Sequence, residues 1–134
     1  MNVANMTALA ALLDTVNPAK FSMHTWVGWM GGVEMNGREE HHNAGECGTT
    51  ACIAGWAFVL QYPNKDHRQQ VLLHSWVDDE AQLYLDLTHE EKNYLFMGKW
   101  SSTRHPKNPD VGTGTPQEAA AAVRAMIAHG GIPE

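Results

Sequence analysis

The sequence predicts a mainly α-helical protein, a single compact domain over residues 1–134 with five or six short helices and long loops. Apolar residues recur at i, i+3 and i+4 through most segments, which is the spacing of helices that bury one face. Two capping boxes, Thr88-x-x-Glu91 and Thr115-x-x-Glu118, mark helix starts. Glycine or proline stands where the apolar patterns end. The length is that of one domain.

The first helix is expected to begin near Asn5, which can cap it, and to stop at Asn17-Pro18. An aromatic-rich stretch follows over residues 21–29, and its bulky side chains fit core positions. Residues 28–46 are predicted to form a long irregular connection with several turn dipeptides. A small β-hairpin across Asn36-Gly37 is allowed within it.

The middle of the chain, residues 47–57, holds both cysteines in the run Cys-Gly-Thr-Thr-Ala-Cys-Ile-Ala-Gly-Trp-Ala. Thr49 or Thr50 can cap the helix that follows. Cys52 and Trp56 stand four residues apart, on one apolar face of that helix. We therefore expect the Cys52 side chain to point into the core.

The predicted helix is interrupted at Tyr62-Pro63, and apolar residues after this point indicate one short segment. Asp78 can cap the helix that comes next. The buried side of that helix is expected to carry Ala81, Leu83 or its neighbour Tyr84, and Leu87.

The Thr88 capping box predicts a further helix that ends at Gly98. Residues 99–114 contain two prolines and two glycines and are predicted to form a second long loop. The Thr115 capping box then starts the last helix, with proline at its first position. Gly130-Gly131 is expected to end this helix.

Charge and composition exclude several classes of protein. The net charge is −6 with histidines neutral, so the chain has no general attraction for phosphate backbones and we expect no nucleic-acid partner. The first residues lack the basic start of a secretory signal, and no apolar run approaches a membrane span. We therefore expect a cytoplasmic protein with no membrane association, whose two cysteines stay reduced.

Several pieces of the chain occur in the same order in one known group of proteins. The most diagnostic is the cysteine-containing run over residues 47–57. The other pieces are Asn-Pro-Ala-Lys-Phe-Ser-Met at 17–23 with Trp26, Leu-Asp-Leu-Thr at 85–88 with Leu95-Phe96, and Thr-Pro-Gln-Glu-Ala-Ala at 115–120. On these pieces, which cover most of the chain, the sequence resembles a family of small uncharacterised proteins of bacteria, notably actinobacteria, and their phages. The resemblance implies a phage or phage-derived protein and carries no mechanism.

For function, the sequence favours a binding module over an enzyme. It contains no phosphate loop, dinucleotide fingerprint, metal-ligand pair or spaced carboxylate dyad, so we expect no cofactor and no metal. The expected partner is a host protein or a small molecule. Trp29 and Trp100, in the two long loops, are the candidate contact residues, because amphipathic aromatic side chains dominate binding hot spots. Both also fit core positions.

The alternative is a small thiol-dependent hydrolase or transferase. Cys47 would be its nucleophile, because it stands just before a predicted helix, whose N-terminus favours a thiolate. His105 or His42 would serve as the base. No spacing in the sequence requires either pair to meet.

The cysteine motif has two further explanations, a zinc site and a purely structural role, and we prefer the structural role. The possible zinc ligands near the motif are His41, His42, Cys47 and Cys52. Their spacing is poor, because five residues turn a helix by about 140° and so direct the two cysteines apart. Gly55 inside a helix costs about 1 kcal/mol relative to alanine, a loss that tight packing of a second helix can offset. Cys52, Gly55 and Trp56 would form that packing seam, with Trp26 or Trp76 as partner.

Overall fold

The computed structural model of the chain describes residues 1–18, 21, 52–105 and 108–133. Within these ranges it shows six α-helices and one antiparallel two-stranded sheet, which confirms a mainly α-helical protein. The elements in chain order are α1 (Val3–Thr15), α2 (Ile53–Gln61), α3 (Lys65–Leu72), α4 (Val77–Leu85), α5 (His89–Phe96), β1 (Thr103–His105), β2 (Asn108–Thr113) and α6 (Pro116–His129). The hairpin expected across Asn36-Gly37 lies outside the described residues.

Helix α1 packs along α6, and the two bury facing apolar stripes. Leu9 and Leu13 of α1 and Val123 of α6 are among the fully buried residues. The cap of α1 corrects the prediction. Asn2, and not Asn5, is the N-cap, and its side chain accepts a 3.0 Å hydrogen bond from the Asn5 amide. The Asn5 side chain is instead used in a tertiary contact with α4.

Helix α2 lies at the centre of the described part, because residues 53–58 are all buried. It packs mainly against α4 and also touches α1 and α5. Cys52 itself occupies the N-cap, so the expectation that Thr49 or Thr50 caps this helix is wrong. The predicted burial of Cys52 is confirmed, with 1% of the residue exposed.

The buried side of α4 includes Ala81, as predicted, and of the two alternatives Leu83 and Tyr84 it is Tyr84 that packs against the core. Val77, Ala81 and Leu85 recur every four residues and form its buried stripe against α2. Leu83 lies two residues before the end of that stripe, on the opposite side, and is 75% exposed. Trp76 is the N-cap in place of Asp78, which falls in the first turn.

Trp76 was one of the two expected partners of the α2 packing seam. It remains 44% exposed at the N-cap of α4, so the buried stripe of α4 is what packs on α2. The other expected partner, Trp26, lies outside the described residues. Leu87 is 6% exposed, as predicted.

A buried arginine stabilises the short connection between α2 and α3. Arg68 is 1% exposed, and its guanidinium donates 2.9 Å hydrogen bonds to the carbonyl oxygens of Tyr62 and Pro63. The Tyr62 hydroxyl donates a 2.7 Å hydrogen bond to Glu80 and so ties this connection to α4. The segment after the connection is helix α3, which Asn64 caps.

Residues 99–114 are not a loop throughout, which corrects the prediction. They contain β1 and β2, paired antiparallel with Thr103 opposite Thr113 and Arg104 opposite Gly112. The register shifts after Arg104, where the pairing is irregular and His105 lies opposite Asn108. Sequence periodicity did not indicate these strands because β1 has only three residues and β2 contains glycine and proline, which are rare in strands.

The predicted starts and stops of the last two helices are confirmed. Thr88 and Thr115 each form a complete capping box with the glutamate three residues later. Pro116 is in the first turn of α6, and Gly130 ends this helix with φ of +80°.

Among the described helices, none is both long and apolar enough to cross a membrane.

Candidate functional site

A groove of about 380 Å³ lies between the end of α5, the turn that follows it and one face of α6. Its aromatic wall consists of Tyr94, from the last turn of α5, and Trp100, from the turn. Residues of α6 line its other side, and Pro133 is also part of the lining. Rings on one side and small side chains on the other leave a space of the size that small ligands or single side chains occupy.

Trp100 is held in place by a hydrogen bond. Its indole Nε1 donates to the carbonyl oxygen of Leu95 at 2.9 Å, so the indole N–H is already used within the protein. Its ring lies directly against Gly114, where an added Cβ would come within 2.9 Å of the ring carbon Cζ3. The indole therefore has a defined orientation and offers the groove its hydrocarbon surface and its π-electrons.

Helix α6 contributes a stripe of side chains at i, i+3, i+4 and i+7, which share one helix face. The stripe is Glu118, Ala121, Ala122 and Ala125. Ala121 and Ala125 are exposed, so the groove stays open along the helix. Alanine is what keeps this space empty, because a longer side chain at either position would fill it.

Glu118 is oriented by its role in the capping box. Its Oε1 accepts a 2.9 Å hydrogen bond from the Thr115 amide, while its own amide donates to the Thr115 hydroxyl at 3.1 Å. The same Oε1 lies 3.3 Å from the position that a Gly114 Cβ would occupy. Glu118 and Trp100 therefore both adjoin Gly114 and lie side by side in the groove.

Some of the remaining polar groups of the groove already have hydrogen-bond partners within the protein, and others do not. The Ser101 hydroxyl donates to the Thr113 carbonyl and accepts a 3.1 Å hydrogen bond from the Thr103 amide, so it serves the hairpin. Ser102 is exposed at the rim. Within the described residues, neither the Tyr94 hydroxyl nor Oε2 of Glu118 has a hydrogen-bond partner. These two oxygens are available to a ligand.

Of the residues singled out from the sequence, the structure brings Trp100 into this groove. His105 belongs to β1 at the far end of the hairpin. Trp29, His42 and Cys47 lie outside the described residues, and both proposed thiol and base pairs include Cys47. Tyr94 and Glu118 were not predicted from the sequence to belong to a site. The spacing of Glu118 with three alanines was a usable signal, but alanine in a helix ordinarily reflects only helix propensity.

Cys52 is a core residue with no sign of reactivity. Burial raises the pKa of its thiol well above the ordinary value, although the amides of Gly55 and Ala54 at the start of α2 favour the thiolate. The Asp78 carboxylate adds to the rise. A buried thiol that stays neutral is a poor nucleophile at neutral pH.

Within the described ranges, no three histidine, cysteine or acidic side chains stand close enough together to hold a metal ion. No protein-family model matches the chain, and neither does any curated protein or any solved structure.

Proposed function

We propose that the chain is a binding module that holds a side chain of a partner protein in the groove between Trp100 and α6. The observation that carries this proposal is the groove itself, in which two aromatic rings face a floor of alanines across about 380 Å³. Tyrosine and tryptophan are the residues that most often dominate the energy of binding interfaces. A space of this size lies in the range of ligand pockets, about 300–1,000 Å³.

The open side of the groove favours a protein partner over a free small molecule. Ser102, Glu118, Ala121 and Ala125 line the groove and are all exposed. Pockets for small molecules enclose most of the ligand, about 70–90% of its surface, which an open groove does not do. A side chain presented by a larger partner is covered on its other side by that partner. If the chain is of phage origin, as its resemblance implies, host proteins are the natural candidates.

The proposal is tested by filling the groove without touching the core. Ala125→Leu and Ala121→Leu each place an isobutyl group in the groove from an exposed helix position, and leucine is nearly as good a helix former as alanine. Ala128→Leu is the matched control, because Ala128 is exposed on the same helix and does not line the groove. All three variants should melt close to the wild-type temperature.

The measurement is affinity capture from host lysate with immobilised protein, followed by a binding titration of the retained partner. We expect the wild type and Ala128→Leu to retain the same partner, and Ala125→Leu to weaken its affinity at least tenfold. If Ala125→Leu binds the partner as tightly as the wild type does, the interface lies elsewhere on the molecule. If the wild type retains no partner from any relevant lysate, the proposal has no support.

A further inference from the structure

The groove has one charged side chain among its described lining residues, the carboxylate of Glu118. The chain as a whole carries a net charge of −6, so its field attracts cations and repels anions. An acidic or phosphorylated ligand would meet Glu118 as a like charge, which costs binding energy. The charge of the site therefore selects a positively charged occupant.

Trp100 and Glu118 are placed to act on one cation together. The Cζ3 atom of Trp100 and Oε1 of Glu118 lie 2.9 Å and 3.3 Å from a single point, the position that a Cβ of Gly114 would occupy. A cation within about 6 Å of a tryptophan ring is attracted by its π-electrons, and tryptophan is the best of the aromatic residues for this contact. The Trp100 N–H is bound to Leu95, so it is not free to repel a cation or to seek an acceptor on the ligand.

The carboxylate is pre-organised for this task. The capping box holds Oε1 of Glu118 on the Thr115 amide, which fixes the side-chain orientation and leaves Oε2 free. The Tyr94 hydroxyl, also without a partner in the described part of the chain, is a second acceptor across the groove. Groups that are already ordered before binding lose little conformational entropy when the ligand arrives.

We infer that the groove receives an arginine side chain of the partner protein, with the guanidinium between Trp100 and Glu118 and the aliphatic stem along Ala121 and Ala125. This inference rests on the proposed function and names the residue that the partner presents. Arginine suits the site better than lysine, because its planar guanidinium stacks on aromatic rings and spreads its donors over several acceptors. The alanines provide the apolar surface that the three methylene groups of the stem require.

The experiment is a titration of ¹⁵N-labelled protein, followed by NMR, with three pentapeptides of the form Gly-Gly-X-Gly-Gly in which X is arginine, lysine or citrulline. Citrulline has nearly the shape of arginine but carries no charge. We expect the arginine peptide to shift the Trp100 indole and the amides of Ala121 and Ala125. The citrulline peptide should bind at least fivefold more weakly, and the lysine peptide should fall between the two. The affinity for arginine should decline with added salt.

Two variants isolate the carboxylate. Glu118→Gln removes the charge and keeps an acceptor for the capping box, where glutamine is also found. Glu91→Gln makes the same change at the same place in the capping box of α5, away from the lining of the groove. Glu118→Gln should weaken the arginine peptide at least fivefold, and Glu91→Gln should leave its affinity unchanged.

Four outcomes overturn the inference. Equal binding of the arginine and citrulline peptides, or no effect of Glu118→Gln, would show that the groove takes a neutral group. Equal binding of the lysine peptide would remove the preference for a guanidinium. Agmatine, the free amine with the same guanidinium, is the last probe. If it binds as tightly as the peptide, the occupant is a free organic cation and not a protein side chain. In the first three cases the proposed function would still be supported if the captured partner binds Ala125→Leu more weakly than the wild type.

Discussion

Gly98 and Gly112 meet backbone to backbone, so neither position has room for a side chain. A Cβ on Gly98 would lie 2.6 Å from the carbonyl oxygen of Gly112, closer than real Cβ contacts come. The Gly112 amide donates a 2.8 Å hydrogen bond to the carbonyl oxygen of Met97, which holds the two segments together. This crossing fixes the turn after α5 on the hairpin, and the turn carries Trp100 into the groove.

Gly112→Ala is expected to destabilise the protein by roughly 1–3 kcal/mol, because the added methyl group overlaps fixed backbone atoms and not a flexible side chain. Gly130→Ala should cost about 1 kcal/mol, since its φ of +80° strains an alanine while nothing lies within 4 Å. Gly131→Ala is the control, with its nearest contact at an ordinary 3.5 Å. Urea unfolding measures all three, and equal stability of Gly112→Ala and Gly131→Ala would contradict the crossing.

Lys92 is expected to stabilise the protein mainly through Asp78. Its Nζ lies 2.9 Å from Oδ2 of Asp78, and the two side chains are only 12% and 15% exposed. Burial is the largest single effect on the pKa of Lys92 and lowers it, but the hydrogen bonds and charges of Asp78 and Asp79 together outweigh burial and leave the pKa raised. Lys92→Met leaves a mostly buried carboxylate without its cation, which should cost on the order of 2–4 kcal/mol.

The double variant Lys92→Met with Asp78→Asn tests the cause of that loss. Because it removes the unpaired charge, it should be more stable than Lys92→Met alone. Denaturant unfolding of both variants and of Asp78→Asn closes the cycle. Strictly additive losses would mean that the two side chains contribute independently.

The buried thiol of Cys52 should make the protein less stable in alkaline solution. Its pKa is raised by burial, so the folded protein keeps the thiol neutral while the unfolded chain ionises it above about pH 8.5. Its contribution to stability is complete below that pH and is lost as the pH rises further, by at most about 1.4 kcal/mol per pH unit. Cys52→Ala should lack this decline, and at pH 7 it should cost no more than about 1–2 kcal/mol.

The comparison is made by urea unfolding of the wild type and Cys52→Ala at pH 7 and pH 10. The raised pKa of Tyr62 affects both proteins alike, so it cancels in the difference. Alkylation of the native protein by iodoacetamide, located by tandem mass spectrometry, gives an independent check. Rapid modification of Cys52 in the native state at pH 8 would show that it is accessible.

Trp56 should contribute to the core through its volume. It is 6% exposed, and its Nε1 has no hydrogen-bond partner within the described residues. Trp56→Ala should therefore cost about 3–5 kcal/mol because of the cavity it leaves. Trp56→Phe keeps most of the ring volume and removes an unpaired donor, so its loss of stability should be clearly smaller. If phenylalanine costs as much as alanine, the indole N–H and not the ring volume holds the core.

Helix ends were the features best predicted from the sequence. The capping boxes at Thr88 and Thr115 and the stop at Gly130 depend on groups within three or four residues of each other. Such local hydrogen bonds and backbone preferences form in the same way wherever the helix packs. The caps at Asn5 and Asp78 were wrong because several nearby residues could cap, and the surrounding packing selected Asn2 and Trp76.

By itself, then, the sequence determined that the protein is helical, where its last two helices begin and end, and that Cys52 is buried. Only the tertiary structure decided that α4 exposes Leu83, that β1 pairs with β2 and that Trp100 and Glu118 line one groove. The physical reason is the distance along the chain between the groups involved. Contacts between remote segments depend on backbone approaches such as that of Gly98 and Gly112, which leave no periodic trace in the sequence.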